Sequence, residues 1–148
     1  MTLTVEWRNG NSVLPEHSLM LIAFPGVGNV GKAAIDAVNS VNEATQVARL
    51  YDTSLPPLAC LDEDGLLAPP HYTLSSIEST TGKTILTLTG STQPVDPNSQ
   101  GMLANEIMKF FMQQGVSELV VMAGLGSEPS RKETFIVASN SSHRIELE

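Results

Sequence analysis

The stretch from Leu19 to Ala34 constrains the fold more than any other. The apolar run Leu19-Met20-Leu21-Ile22-Ala23-Phe24 is cut by Pro25-Gly26-Val27-Gly28-Asn29, and a helical pattern starts at once. An unbroken apolar run of this kind reads as a buried strand covered on both faces, where alternation disappears. Val30, Ala33, Ala34, Ala37, Val38 and Val41 fall on one helical face at i, i+3, i+4 spacing. Asn29, Lys32, Asp36 and Ser40 fall elsewhere. The unit is strand–turn–helix, the first half of a crossover.

Two chemical motifs overlap in the turn. Gly26, Gly28 and Gly31 spell G-x-G-x-x-G, and the next strand-like run, Gln46 to Tyr51, ends at Asp52. In a dinucleotide site the amides of such a turn approach a pyrophosphate, and the acid holds a ribose hydroxyl. The same residues read as a P-loop, Gly26-x-x-x-x-Gly31-Lys32, without the final Ser or Thr because position 33 is Ala. The third reading is a tight turn with no ligand. Lys32 then either complements an anion or is simply solvated. One functional reading is therefore a nucleotide or dinucleotide binder, of unknown reaction, using an anion turn of Gly26, Gly28, Asn29, Gly31 and Lys32.

A chain of 148 residues is expected to form a single α/β domain with a sizeable core. Sixteen acids against eight bases give a net charge of −8, with no basic run, so nucleic acid is not the expected partner. The acidic balance suits a basic partner surface. Cys60 is the only cysteine, which excludes an intrachain disulfide and a Cys-based zinc site. The first residues carry no signal-peptide pattern, and no apolar run approaches the ~18 residues of a membrane span. A cytoplasmic protein without membrane partners is expected.

Along the chain, Thr2–Trp7 is strand-prone, and Asn9-Gly10 suits a hairpin turn with a short strand before Pro15. A buried strand is expected at 45–51, and short antiparallel pieces at 58–61, 66–68, 72–78 and 84–89. A helix is expected from about Gln100 to Gln114, capped near Ser99 and ended by Gly115. Its apolar residues spread over roughly 200°, about twice what a surface helix needs. One side should therefore meet the sheet and the other a subunit interface or further chain. Leu103, Ile107, Met108 and Phe111 are the candidate contact residues. A third buried strand is expected at 117–123 and a last one at Phe135–Ala138.

No catalytic set assembles. His17, His71 and His143 are far apart, and no acid stands at ligand spacing on a helix, so no metal site is expected. Asp62, Glu63 and Asp64 sit at a Gly turn and read as turn chemistry. Gly90-Ser91-Thr92 and Gly126-Ser127-Glu128 supply no nucleophile elbow. Cys60, in an apolar segment, reads as a small core residue.

The run Phe24-Pro25-Gly26-Val27-Gly28-Asn29-Val30-Gly31-Lys32-Ala33-Ala34 resembles the signature turn of the proteasome assembly chaperone 2 family. Leu55-Pro56-Pro57, Asp64-Gly65, Ala68-Pro69-Pro70 and Gly90-Ser91-Thr92-Gln93 match further segments of it, over roughly residues 18–140. The resemblance implies a three-layer α/β sandwich with a mixed, largely parallel sheet, similar to nucleoside phosphorylases without their catalytic residues. It implies a non-enzymatic chaperone without a cofactor, a homo-oligomer that binds proteasome α-subunits or a proteasome-associated ATPase. The ending Ile145-Glu146-Leu147-Glu148 lacks the hydrophobic–Tyr–X docking tail of some relatives. Family members are usually longer, so the chain is either cut short relative to them or a short member.

Overall fold

The computed structural model describes residues 3–62 and 64–147. Its centre is a six-stranded sheet in the order β1-β3-β6-β7-β2-β8. The strands are β1 (Thr4–Trp7), β2 (Leu19–Ile22), β3 (Thr45–Tyr51), β6 (Tyr72–Glu78), β7 (Thr84–Gly90) and β8 (Leu119–Val121). Two short strands, β4 (Cys60–Leu61) and β5 (Leu67–Ala68), form a separate ribbon. The helices are α1 (Val30–Val41), α2 (Pro97–Gln113) and α3 (Ser141–Leu147). The sheet is mixed, as expected, but antiparallel ladders outnumber parallel ones. β1–β3, β3–β6 and β6–β7 are antiparallel, whereas β2–β7 and β2–β8 are parallel.

Alternation in β7 gives the sheet two chemically different faces. Leu86 and Leu88 point to one side with Met20, Ile22, Leu74 and Leu50, all buried. There α2 lays down Leu103, Ile107 and Phe111, and the whole forms the core. Thr87 and Thr89 point to the other side, where the Thr87 hydroxyl donates to Asn39 Oδ1 of α1 at 2.8 Å. The two helices thus cover opposite faces, one apolar and one rich in hydroxyls.

That second face overturns the expected orientation of α1. Gly31 and Ile35 are buried, with Val38 and Asn39 half-buried beside them, at i, i+4, i+7 and i+8. Val30 and Val41 are 61% and 82% exposed, and Ala33, Ala34 and Ala37 are exposed with them. A close contact at Gly31 and the Asn39–Thr87 bond set the helix phase, not the largest apolar count. β2 is correspondingly buried at Met20 and Ile22 but only half-buried at Leu19 and Leu21.

The helix α2 begins three residues before the expected start. Asp96 caps it by accepting from Ser99 N at 2.8 Å, with Pro97 in the first turn, a pairing suited to a helix start. Gly115, at φ 84°, follows its end. Leu103, Ile107 and Phe111 lie in the chain's own core rather than on a surface open to a subunit, and Met108 is half-buried. Trp7 of β1 supplies part of the second cover that the wide apolar arc needed, its ring 6.2 Å from that of Phe110.

The Asn9-Gly10 turn forms, with φ of 53° and 76°, but no strand follows it. β1 pairs instead with β3, and Asn9 Nδ2 donates to Gln46 O at 2.8 Å. At the other end, β8 is not buried: Val120 and Val121 are 45% and 62% exposed on the sheet's edge. Phe135–Ala138 forms no strand, and α3 buries no residue. Phe111→Ala should cost about 3–5 kcal/mol in denaturant unfolding, as truncation of a buried aromatic does, and Met112→Ala close to nothing.

Candidate functional site

The ends of the three parallel strands converge on the glycine turn. β2 leads through Phe24 and Pro25 to Gly26, and a 3-10 turn, Val27–Asn29, closes with Asn29 N donating to Gly26 O at 2.9 Å. Gly28 and Asn29 stand at φ 63° and 53°, the left-handed region that favours glycine and tolerates asparagine. From the end of β7, Gln93 Nε2 donates to the Pro25 carbonyl. From the end of β8, Met122 N donates to Ile22 O at 2.8 Å.

Backbone packs on backbone here. A Cβ at Gly31 would stand 2.3 Å from Met122 O, and one at Gly124 would stand 2.1 Å from Val27 O. Between these elements lies a groove of about 180 Å³, lined by Phe24, Pro25, Val30, Gln93 and Met122 among others. That is below the ~300–1,000 Å³ of a typical small-molecule pocket. Gly26, Gly28, Asn29 and Gly31 therefore come together in one turn, as the sequence suggested. Lys32 does not join them, because its ammonium pairs with Asp36 one helical turn on.

Asp52 is also remote from the turn. It follows the end of β3, and β6 and β7 intervene before β2, a gap of three strand spacings or ~14 Å. Its Oδ1 accepts from Ser54 N and Oγ at 2.8 and 2.6 Å. In a dinucleotide fold the acid-bearing strand is the neighbour of the glycine strand, and this sheet order separates them.

A second, polar cleft of about 320 Å³ opens on the hydroxyl face, between α1 and the β4–β5 ribbon. Lys32, Asp36, Asn39, Cys60, His71 and Ser91 line it, with Thr73 and Thr89 on its floor. Cys60 is half-buried at this cleft rather than in the core, its Sγ 3.8 Å from Ser91 Oγ. Beside it, Arg49 Nη2 reaches Asp62 Oδ2 at 3.2 Å, both side chains nearly buried. Asp62 Oδ1 accepts from Asp64 N and Leu66 N, which is the expected turn chemistry; Glu63 lies outside the described residues. The Leu66 amide and the Arg49 guanidinium hold the Asp62 carboxyl below its ordinary 3.8 against the opposing effect of desolvation. Burial pushes the Tyr72 phenol far above its ordinary 10.0, and the Asp52 carboxylate adds to that.

Sequence reasoning missed this cleft because four separate elements supply it. Its one visible signal is the Thr87-x-Thr89 alternation in an otherwise apolar strand. Among the described residues no group of three or more His, Cys, Asp or Glu could hold a metal ion. Nor is any helix of the described residues long and apolar enough to cross a membrane.

The sequence profile of the PAC2 family matches residues 20–148. The chain belongs to this family. An uncharacterised protein of Methanocaldococcus jannaschii is 23% identical over 88% of this PAC2 chain and 50% of its own length. The fold matches PbaB of Pyrococcus furiosus, an archaeal proteasome activator, at TM-score 0.68 and 20% identity, over 83% of this chain and 51% of that one. It also matches PbaA of the same organism, an archaeal homologue of proteasome-assembly chaperone, at TM-score 0.58 and 18% identity, over 84% and 50%. The PAC2 chain spans about half the length of these relatives.

Gly31→Ala should destabilise by about 1–3 kcal/mol, as overpacking does, because backbone is what the new methyl meets. Gly101→Ala, where a Cβ meets open space within α2, should stabilise by about 0.5–1 kcal/mol. A folded carboxyl below its unfolded value stabilises above that value and loses the effect as pH falls through the folded pKa. Asp62→Asn should therefore be less stable than wild type at neutral pH. The gap should narrow in urea titrations run below about pH 4.

Proposed function

We propose that this chain is a non-enzymatic protein-binding domain that acts, as a homo-oligomer, on proteasome subunits during their assembly. The observation that carries the reading is PAC2 membership joined to a fold shared with an archaeal proteasome activator and a proteasome-assembly chaperone homologue. Three features agree with it. The groove beside the glycine turn is only about 180 Å³, Lys32 is engaged with Asp36, and Asp52 is held by Ser54. A work surface is nonetheless on offer: the outward side of α1 presents Val30, Ala33, Ala37 and Val41 to solvent, with Val27 58% exposed at its start. Exposed apolar surface of this kind is what protein partners cover. The net charge of −8 suits a partner with a basic rim.

The direct check is titration of purified proteasome α-subunits, and separately of a proteasome-associated ATPase, against the chain by calorimetry. Saturable binding to the α-subunits is expected, and Ala37→Glu should weaken it at least about tenfold, ~1.4 kcal/mol, with the melting temperature unchanged. Absence of binding to both partners would sink the reading.

A further inference from the structure

We propose that the polar cleft between α1 and the β4–β5 ribbon binds a small uncharged polyol, a sugar or a cyclitol. This site does not depend on the protein-binding function proposed above. Thr89 carries the argument. It is 8% exposed, it lines the cleft, and its Oγ1 is buried with no hydrogen-bond partner among the described residues. Thr87, two residues earlier on the same face of β7, has its hydroxyl matched by Asn39. A buried hydroxyl left unmatched costs free energy, and native chains keep few of them. One set in the floor of a cleft is satisfied when a ligand arrives. The cleft, at about 320 Å³, has the size of a small ligand pocket.

The walls decide the chemistry. Their charged groups are engaged by the protein itself, Lys32 with Asp36 and Asp62 with Arg49. The cleft therefore offers no unbalanced charge to an ion, and a net charge of −8 on the chain disfavours an anion further. What remains is neutral hydrogen-bonding capacity of both kinds. Asn39 accepts from Thr87 through Oδ1, which leaves its amide hydrogens to donate. His71 Nδ1 lies 2.9 Å from the Pro69 carbonyl, which can only accept, so Nδ1 carries the hydrogen and Nε2 of the neutral ring is an acceptor. The hydroxyls of Ser91 and Thr89 can act either way. A ligand hydroxyl both donates and accepts, and so matches this mixed set. A carboxylate or phosphate oxygen only accepts, and does not.

The test is amide NMR on the full chain, titrated with ribose, glucose and myo-inositol up to about 50 mM, a range that reaches millimolar affinity. At least one of the three is expected to shift the Cys60, His71, Thr89 and Ser91 amides saturably. The same probe should slow iodoacetamide alkylation of Cys60, the chain's one thiol, which lines the cleft. Thr89→Val keeps the shape of the side chain and deletes the hydroxyl. It should fold at least as stably as wild type and weaken binding about tenfold. Should Thr89→Val fail to fold, Ser91→Ala, at an exposed position, should weaken binding likewise. No saturable shift with any of the three probes overturns the proposal, as do shifts centred outside the cleft. A folded variant that binds as tightly as wild type also overturns it, by showing that water alone serves these hydroxyls.

Discussion

Contact between bare backbones fixes the working end of this molecule. Gly31 and Gly124 are reciprocal: the start of α1 leans on the carbonyl after β8, and the chain after β8 leans on the carbonyl inside the turn. Any side chain at either site would push the helix off the sheet, since core packing leaves no slack of that size. Once Gly31 is seated, the helix can rotate no further. Asn39 meets Thr87, and the alanine and valine side looks outward. One steric requirement thereby decides which side chains are sequestered and which a partner can touch.

The two sheet faces divide the labour of stability. Under α2, Phe111, Leu103 and Ile107 close an apolar core over Met20, Leu86 and Leu88. Under α1 the buried groups include the polar Arg49, Ser75, Thr87 and Thr89 beside Ile35 and Ile77, and a buried polar group is tolerated where it has a partner. Asn39 serves Thr87 and Asp62 serves Arg49. The polar face is consequently specific in geometry, while the apolar face supplies most of the hydrophobic driving force.

Much of this was legible in the sequence, and the failures have physical reasons. The glycine turn, β3, the β6–β7 hairpin, the centre of α2 and the family were readable because strong local periodicity or turn chemistry marks them. The phase of α1 was not: it depends on a carbonyl about ninety residues away in the chain, at Met122. Leu103, Ile107 and Phe111 were read as contact residues because the apolar arc of α2 is wide, yet the cover came from β1 and the sheet. Val120 and Val121 look like interior strand residues by composition, and only their place at the end of the strand order exposes them. The polar cleft left almost no trace, since hydroxyls from separate strands meet only after pairing.

The strand order also carries a consequence for how the protein is made. Leu19 pairs with Ile85, and Met20 pairs with Leu86 on one side and Leu119 on the other. A ribosome releases the chain from its N-terminus, so β2 waits for β7 before its first ladder can form and for β8 before its second. Its apolar run is uncovered through that wait. Pairing across such distances also makes folding slow, because loop closure precedes any gain from contact. A polypeptide of this topology therefore exposes an apolar strand to its surroundings while it is being made.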